Sequence, residues 1–471
     1  MTQWAGLVSS CVTLPELSNT SALLHLAFVG LEGLLSSQVY PDGIEFEEAF
    51  GYDMLTAADF LTTVEMAERA GYALSQSYRS RVEAMYNYAI NVLDQDGFDP
   101  RNGDTDIGQA GNLIGKPNGW SPEAQKLFNR PDWLYVHTNG RQGVKPPGPS
   151  PSIMFPWGGQ AVLRGGFEKG DHWCWFQVGV HGAGGHGHRG RLAFNLRSHG
   201  SMLLVDSGRF QYAGTGLSNI LHNEYASTTA AHNTLTIDGK NQKTVPSVAT
   251  MPLSSSSWSF QSSVDFVRSA VSEWEGLDGS ATHTRAILYV RGKYYIVVDC
   301  VDTDRPRRVQ TTWHAHPNST IALNVSAGDA TVQGVETGTG RPTTAQLVVI
   351  PAVGEGAVGA TTWENYTVVK GQNKSAENNW QGWYSETYNG KSPAPTLVYD
   401  TLARRARSLF GWLLVPTATR ETPRSTLALL KCADDVVTVR VDSAGSAPQQ
   451  FQLPLSGNDA ESIDAGARTV V

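Results

Sequence analysis

The chain has 471 residues, of which 40% are apolar and 17% are charged, and its formal net charge at pH 7 is −8. This length is sufficient for two or three domains with ample core. The negative charge argues against a general nucleic-acid-binding protein, because contacts to phosphates need a basic surface. No apolar run approaches the ~18 residues that a membrane-spanning helix needs, so the composition predicts a soluble globular protein.

The four cysteines, Cys11, Cys174, Cys300 and Cys432, lie far apart in the sequence and form no CxxC pair. This distribution excludes a zinc ribbon and a dithiol redox motif and predicts mostly buried free thiols. The first residues, MTQWAGLVSSCVTLPEL, contain no basic segment followed by an apolar one. The sequence therefore predicts no signal peptide at this end.

Residues 1–140 show the periodicity of α-helices. Apolar side chains recur at helical spacing in LLHLAFVGLEGLL, in MLTAADFLTTV and in VEAMYNYAINVL. Another helix is predicted for SPEAQKLF, where Ser121 would cap the helix and Pro122 would occupy its first position. We expect antiparallel helix pairs in this region, followed by a Gly/Pro/Ser-rich linker over residues 141–152.

After this linker, short runs rich in β-branched and aromatic residues replace the helical pattern. Examples are HWCWFQVGV, SMLLVDS and TRAILYVRGKYYIVVDCVD. Turn pairs such as His199-Gly200 and Asp238-Gly239 bound these runs, and no helix of any length is expected among them. The sequence predicts a large antiparallel β region over residues 153–471, arranged as a sandwich of two sheets.

The stretch HGAGGHGHRGRLAF places three histidines among glycines over residues 181–194. Residues i and i+2 of a strand share a face, so His186 and His188 would lie about 7 Å apart if this stretch were a strand. Asp206 and His232 follow downstream. Two imidazoles and one carboxylate form a ligand set that suits Zn²⁺ with an open fourth position.

Spacing alone leaves this metal site undecided. If His199-Gly200 is a two-residue hairpin turn, the strand register pairs position 188 with 211 and position 206 with 193, which separates His188 from Asp206. A metal site requires the chain near residues 185–190 to bend back, and the glycines permit that. The alternative is a glycine-rich loop with hydrogen-bonded histidines.

Two acidic segments of the helical region carry further candidate residues. YPDGIEFEEAFGYD ends with Tyr52 at the start of a helix, where a single tyrosine is ordinarily a packing residue with a solvated hydroxyl. LDQDGFDPRNGDTDIG does not fit the calcium-loop template, because Gly97 stands at the wrong position and the closing glutamate is absent. We interpret the second segment as a loop between helices.

Taken in chain order, these motifs resemble the heparinase II/III-like polysaccharide lyases. PDGIEFEEAFGYD is similar to the family's PDG…E…Y segment, and NGDTDIG is similar to the acidic turn that closes its helical domain. HGHRG, LLVDSG and AAHNT resemble its H-x-H, V-D-x-G and A-H-N-T signatures. The resemblance covers residues 20–320 and implies an incomplete (α/α) toroid followed by an antiparallel β-sandwich.

The resemblance implies a reaction and a cofactor. Members of this family cleave uronic-acid polysaccharides by β-elimination, and many hold one zinc ion in the β domain. Carried over by motif, the metal ligands would be His188, Asp206 and His232. The ion would be structural, since it would fix the glycine-rich stretch and so orient His186.

The same resemblance implies the catalytic residues. β-Elimination removes the proton on C5, next to the uronate carboxylate, and expels the oxygen on C4, so the carboxylate must be neutralised. His186 would act as base or as neutralising group, and Tyr52 would protonate the leaving oxygen. A second tyrosine of the β domain would contribute, with Tyr225 preferred over Tyr212.

Arginines around the histidine-rich stretch would make the cleft locally basic. Arg189 and Arg191, together with Tyr212, are predicted to bind the anionic substrate. Arg197 and Arg209 lie nearby in the sequence. The expected partner is an anionic uronic-acid polysaccharide, with no nucleic acid and no membrane.

Two features depart from the family pattern. An Asn-His pair that binds the substrate carboxylate would fall before Met1, and Asn19 and His25 stand too close to Tyr52 to replace it. The chain is therefore expected to lack the front half of the toroid, although the family implies a secreted or periplasmic protein. In addition, Gly190 stands where the family usually has an acidic residue.

Two other functions stay open on the sequence. One is a carbohydrate-binding relative that keeps the fold and the zinc but not the turnover. The other is a glycoside hydrolase with paired carboxylates, for which Glu45, Glu47 and Glu48 are the candidates.

Overall fold

The computed structural model describes residues 2–16, 18–107, 122–376, 378–420 and 424–456. The helices are α1 (Thr2–Thr13), α2 (Thr20–Gln38), α3 (Phe50–Ala70), α4 (Gln76–Val92), α5 (Pro122–Phe128), α6 (Pro131–His137) and α7 (Leu217–Leu221). All but α7 precede the first strand. The predicted cap Ser121 lies outside the described residues.

Strands follow from residue 153 onward. The first twelve are β1 (Ile153–Phe155), β2 (Gln160–Arg164), β3 (Trp173–Gln177), β4 (Phe194–Ser198), β5 (Ser201–Leu204), β6 (Leu235–Ile237), β7 (Trp258–Phe260), β8 (Val264–Val271), β9 (Ala281–Val290), β10 (Tyr294–Thr303), β11 (Arg307–His314) and β12 (Ile321–Leu323). The others are β13 (Ala330–Glu336), β14 (Pro342–Pro351), β15 (Val353–Gly354), β16 (Asn365–Lys370), β17 (Trp383–Tyr384), β18 (Ser392–Pro393), β19 (Pro395–Ala403), β20 (Arg407–Thr417), β21 (Ser425–Ala433), β22 (Val436–Ser443) and β23 (Gln449–Pro454).

These strands form one large sheet and several smaller ones. The large sheet has 13 strands in the order β1-β2-β3-β4-β5-β13-β14-β20-β10-β9-β8-β7, with β12 paired to β13. A four-stranded sheet of order β16-β19-β11-β6, here called the sandwich sheet, packs on one of its faces. A second four-stranded sheet, β15-β21-β22-β23, covers part of the other face. Strands β17 and β18 pair separately.

The helices share their core with one end of the large sheet. Strand β3 shows how, because its successive side chains point to opposite faces. Trp173 and Trp175 pack into the helical core, whereas Cys174 and Phe176 pack into the core between the large sheet and the sandwich sheet. Both faces of β3 are therefore covered, and all five of its residues are buried.

The turn at His199-Gly200 is confirmed, since Ser198 pairs with Ser201 across it. The register beyond it differs from the simple expectation, because a bulge between Leu196 and Arg197 places Leu196 opposite Leu204. Strand β4 begins at Phe194 and β5 ends at Leu204. Positions 188 and 206 therefore lie outside the ladder, where the chain is free to bend.

One expectation from composition needs correction, namely that no apolar run approaches the length of a membrane-spanning helix. Helix α2 is long and apolar enough to cross a membrane by length and composition, a test that core helices and signal sequences also pass. Ala27, Phe28 and Leu31 of this helix are buried in the helical core.

The predicted free cysteines are confirmed, with three of them buried and Cys432 half-buried.

A helical excursion lies within the β region, where the sequence predicted none of any length. Helix α7 continues into a single π-helical turn, His222–Ala226, and a 3₁₀ turn follows at Thr229–Ala231. This excursion lies between β5 and β6 and ends at Ala231, one residue before His232 of the AAHNT motif. Its path therefore determines where the side chains of Tyr225 and His232 point.

Candidate active site

Three predicted metal ligands meet in the structure. His188, Asp206 and His232 each offer one ligand atom, and these atoms lie within 4.8 Å of one another. All three side chains are buried. His188 Nδ1 and His232 Nε2 have no hydrogen-bond partner, which is costly for buried polar atoms. Two imidazoles and a carboxylate with unpaired donor atoms fit a tetrahedral Zn²⁺ site with one open position.

The backbone brings these ligands together from three loops. Asp206 lies two residues after the end of β5, His232 precedes β6, and His188 lies on the loop between β3 and β4. That loop folds back on itself, because His181 Nδ1 lies 3.0 Å from the carbonyl oxygen of His188. A Cβ atom on Gly187 would lie 2.2 Å from the carbonyl oxygen of His181, so only glycine fits there.

A glycine at position 190 has a steric explanation as well. A Cβ atom at this position would lie 3.0 Å from the imidazole ring of His232. The position that usually carries an acidic residue in the family is therefore closely packed against a metal-ligand candidate in this chain.

Asp104 organises both histidines of the H-x-H motif, and the sequence did not single it out. Its Oδ2 lies 3.0 Å from His186 Nδ1, and its Oδ1 lies 3.0 Å from His188 Nε2. Burial alone would raise the pKa of Asp104, but hydrogen bonds from His186 and His188 outweigh it and hold the pKa below its usual range. Asp104 belongs to the NGDTDIG turn, which was the available signal.

Tyr52 and His186 form the centre of the open part of the site. Tyr52 lies in the first turn of α3, and its ring stacks on that of His186 at 3.7 Å between centroids and 14° between planes. The hydrogen bond to Asp104 raises the pKa of His186. The other ring nitrogen, Nε2, lies 3.8 Å from a carboxylate oxygen of Glu47. Both rings are partly exposed, so a ligand can reach them.

Tyr212 brings a second hydroxyl to this centre. Its oxygen lies 2.9 Å from that of Tyr52 and accepts a hydrogen bond of 3.0 Å from Arg209. The Arg209 guanidinium is in turn fixed by two hydrogen bonds of 2.9 and 2.6 Å to Asp106. Burial raises the pKa of Tyr212 above its usual value. Arg209 is thus the cation beside the two hydroxyls.

Tyr225 and the other two arginines lie elsewhere. Tyr225 is 1% exposed and packs in an apolar cluster with Phe210 and Trp383. Arg189 Nε lies 3.7 Å from a carboxylate oxygen of Glu275, and Arg191 hydrogen-bonds the Glu273 carboxylate at 3.5 Å. The structure therefore brings Tyr212, rather than Tyr225, to Tyr52.

The carboxylates considered for a hydrolase are mostly inaccessible. Glu45 and Glu48 are buried, and burial raises the pKa of Glu45 to about 8. Of these three, Glu47 alone is partly exposed, and it lies beside His186. The nearest carboxylate partner, Asp104, is buried and bonded to two histidines. A pair of exposed carboxylates flanking a substrate bond is absent from this group.

The fold and this site define a protein with a partial helical toroid and a β-sandwich that carries a histidine–aspartate cluster. The family model described as "Heparinase II/III-like, C-terminal" matches residues 147–413, and the one described as "Heparinase II/III N-terminus" matches residues 1–124. The chain belongs to the heparinase II/III-like family.

Individual relatives agree with this assignment. A heparin-sulfate lyase of Pedobacter heparinus is 25% identical over 293 residues, which are 61% of this chain and 41% of that protein. The crystal structure of a heparan sulfate lyase from Pedobacter heparinus superposes with a TM-score of 0.78 at 19% identity, covering 96% of this chain and 66% of the other. A heparinase III structure gives 0.77 at 19% identity, with 96% and 65% covered.

These structural likenesses confirm the predicted architecture, an incomplete (α/α) toroid followed by an antiparallel β-sandwich. The chain spans less than two thirds of the length of each of these relatives.

Proposed function

We propose that this protein is a polysaccharide lyase that cleaves a uronic-acid-containing polymer by β-elimination. The observation that carries the proposal is the convergence of Tyr52, His186 and Tyr212. A helix of the toroid, the glycine-rich loop and the β domain each supply one of these groups. Two tyrosine hydroxyls in contact beside an imidazole suit a reaction that removes one proton and delivers another.

The reaction can be followed atom by atom. His186 Nε2 accepts the proton from C5, while Asp104 fixes the opposite ring nitrogen and so orients the base. The electrons of the C5–H bond form the C4–C5 double bond, and the C4–O bond breaks. Tyr52 donates its proton to the departing oxygen, and Tyr212 orients the Tyr52 hydroxyl through their 2.9 Å hydrogen bond. The products are an unsaturated uronate end and a new hydroxyl end.

Arg209 supplies N–H donors at the same place. Its hydrogen bond to Tyr212 places the guanidinium beside the two hydroxyls, where its remaining N–H groups would bind the carboxylate of a uronate. Asp106 fixes this guanidinium through both carboxylate oxygens, so it is oriented before substrate arrives. Arg209, rather than the predicted Arg189 and Arg191, is the arginine that contacts the Tyr212 hydroxyl, and we assign the positioning of this hydroxyl and of the uronate carboxylate to it.

The triad would hold one structural zinc ion. His188, Asp206 and His232 supply a donor set that Zn²⁺ accepts, and the unpaired nitrogens of the two histidines support this assignment. An ion bound there would fix the loop on which His186 lies. Asp104 also fixes this loop, because its two carboxylate oxygens form hydrogen bonds with His186 and His188.

An assay on several polymers tests the proposal. Heparan sulfate, heparosan, chondroitin, hyaluronan, alginate and glucuronan are each incubated with the protein, and the ultraviolet absorbance of unsaturated uronate is followed. We expect at least one polymer to give this signal. Binding of the polymers without the signal would make the protein a carbohydrate-binding relative, and new reducing ends without it would indicate a hydrolase.

Tyrosine variants test the assignment of the site. Tyr52→Phe is expected to lower kcat by about 10²-fold or more, because the proton donor to the leaving oxygen is lost. Tyr72→Phe is the matched control, since Tyr72 lies in the helical region and its hydroxyl contacts His25. Equal activity of Tyr52→Phe and the wild type would contradict the proposed role.

A second pair separates the two tyrosines of the β domain. Tyr212→Phe should lower kcat, because the Tyr52 hydroxyl loses its partner. Tyr225→Phe should leave kcat within about twofold of the wild type, because a buried tyrosine in an apolar cluster tolerates loss of its hydroxyl well. The reverse ranking would restore Tyr225 as the second catalytic tyrosine.

A further inference from the structure

A cleft of about 800 Å³ opens on the outer face of the sandwich sheet. Its floor is made by side chains that alternate with core residues along the strands, as the two-residue period of a strand requires. Gln310 and Val398 line the cleft, whereas Val309 and Leu397 pack into the core on the other side. Asn365, Thr367 and Thr236 extend the same surface across neighbouring strands.

A loop forms the wall of this cleft. Gln372 and Gln381 pair through their backbones in both directions, which closes the segments 371–376 and 378–382 against each other. The side chain of Gln372 also donates to the carbonyl oxygen of Asn379 at 2.8 Å. The wall is thus braced by its own hydrogen bonds.

Trp380 is fixed in this wall. Its indole N–H donates to the carboxylate of Glu224 at 3.1 Å, and Lys374 pairs with the same oxygen at 2.9 Å. One side of the indole packs against the apolar cluster of Phe210 and Trp383, and the residue also lines the cleft. Because a hydrogen bond holds its N–H edge and the apolar cluster packs against the ring, Trp380 would lose little side-chain entropy when a ligand binds its exposed surface.

Gln381 gives the cleft an unsatisfied polar group. Gln381 is a residue of the cleft lining that is only 7% exposed, and neither its buried amide oxygen nor its buried amide nitrogen has a hydrogen-bond partner in the chain. A buried amide with both functions unpaired costs free energy unless a bound molecule satisfies it. The matching ligand must both donate and accept, as a hydroxyl does and as a carboxylate or sulfate does not.

The charges of the cleft are already neutralised by the chain. Arg308 hydrogen-bonds Asp400 through Nε at 2.8 Å, and Asp238 accepts from Arg307 at 2.7 Å. The lining residues otherwise carry amides and hydroxyls, with Asn365, Asn378 and Asn379 among them. This surface offers hydrogen bonds and an aromatic face but no unpaired cation among its lining residues.

From these features we infer that the cleft binds a neutral, hydroxyl-rich glycan, at a site separate from the catalytic centre. The aromatic face of Trp380 would contact the apolar face of a sugar ring, and Gln381 would exchange hydrogen bonds with its hydroxyls. None of the residues of the catalytic centre or of the metal triad lines this cleft. The inference does not depend on lyase activity, since it rests on a different surface.

Saturation-transfer NMR with neutral hexasaccharides tests the inference on the full chain. The probes are cellohexaose, maltohexaose, xylohexaose and N-acetylchitohexaose, each at a concentration series that yields a dissociation constant. We expect at least one to bind, with contacts to one sugar face. Absence of binding for all four by the folded protein would overturn the inference.

Variants locate the binding. Trp380→Ala and Gln381→Ala should each weaken it by about tenfold, since one removes the platform and the other the paired amide. Gln346→Ala is the matched control, because Gln346 is a half-buried glutamine of β14 with an unpaired amide oxygen outside the cleft. Trp380→Phe keeps an aromatic face and should retain most of the affinity.

Each remaining outcome decides the question. If Trp380→Ala does not fold, as judged by its thermal transition, Gln381→Ala and Trp380→Phe carry the comparison. Unchanged affinity in both Trp380→Ala and Gln381→Ala would place the glycan elsewhere and overturn the assignment. Binding of a heparosan hexasaccharide that these variants abolish, with no neutral probe bound, would contradict the neutral ligand class. Lyase activity of the variants should equal that of the wild type.

Discussion

Two buried histidine–aspartate pairs in this molecule have nearly the same geometry and very different surroundings. His283 Nε2 lies 2.7 Å from Asp299 Oδ1 between strands β9 and β10. His232 Nδ1 lies 2.6 Å from Asp206 Oδ2 between the ends of β6 and β5. Both carboxylates need compensation, because burial of a charge is expensive.

In the first pair, the chain itself supplies that compensation. Arg285 donates to both oxygens of Asp299, at 2.7 and 3.0 Å, and Trp412 Nε1 donates at 3.2 Å. Burial would raise the pKa of Asp299, but Arg285 and His283 outweigh it and lower the pKa below its usual range. This carboxylate is saturated by donors and serves the core.

The second pair has no such cation. Besides His232, Asp206 accepts a hydrogen bond from the backbone N–H of Gly208 at 2.9 Å. Within the described part of the chain, no lysine or arginine forms an ion pair with Asp206, and a second imidazole, that of His188, stands where the core pair has a guanidinium. A His–Asp contact alone therefore does not predict a metal site, and the proposed zinc site differs from the core pair in having a third neutral donor in place of a cation.

The largest expected effect is on metal content. His188→Ala should lose most of the bound zinc, whereas His283→Ala should retain it, because only the first removes a ligand of the triad. Elemental analysis of the purified proteins measures this, with about one zinc per chain expected for the wild type. Equal zinc in His188→Ala and the wild type would refute the ligand set.

Changes around the core pair, His283 and Asp299, should lower the free energy of unfolding and not the zinc content. Arg285→Met leaves Asp299 buried without its cation, so the free energy of unfolding should fall by about 3–5 kcal/mol. Trp412→Phe removes one hydrogen bond to the same carboxylate and should cost about 0.5–1.5 kcal/mol from that bond. Urea titration measures both. Arg285 also donates to the carbonyl oxygen of Asn233, next to His232, so the test of zinc content is Trp412→Phe, in which zinc per folded chain should stay unchanged. A loss of zinc in Trp412→Phe without unfolding would mean that the two clusters are coupled.

A smaller effect is expected from the carboxylate that joins the two histidines of the loop. Asp104→Asn keeps the shape but removes the charge that both imidazoles face, and should cost about 10–100-fold in kcat/KM or zinc affinity. Asp96→Asn is the control from the same acidic segment, since Asp96 pairs with the exposed Lys169. Identical values for the two variants would show that Asp104 orients neither histidine.

Much of the fold could be predicted from local sequence, because helix and strand periods differ and the turn pairs stand out. The confirmed turn at His199-Gly200 is one example. The bulge between Leu196 and Arg197 was not predictable, since nothing in those two residues marks it. It shifts the register by one residue, whereas His188 and Asp206 come together because both lie beyond the ends of β4 and β5.

The site shows the same limit more clearly. Asp104 lies 82 residues before His186 in the sequence, and only the fold brings the two together. The choice between Tyr212 and Tyr225 depended on the excursion over residues 217–231, whose π-helical turn directs Tyr225 into an apolar cluster. Residue type and motif found the candidates, but the tertiary path of one connection determines which tyrosine lies beside Tyr52.

The smallest of the expected effects concerns Gly190, where this chain departs from the family pattern. In Gly190→Ala the new methyl group would lie 3.0 Å from the His232 ring, which is close enough to displace it by a few tenths of an ångström. Zinc affinity should fall by about three- to tenfold, while the unfolding transition of the β region changes little. Gly33→Ala is the control, since its methyl group meets open space on α2. Competition with a chelator measures the affinity. An unchanged value in Gly190→Ala would mean that His232 is not held rigidly, and hence that the triad adapts to the ion rather than being fixed before the ion binds.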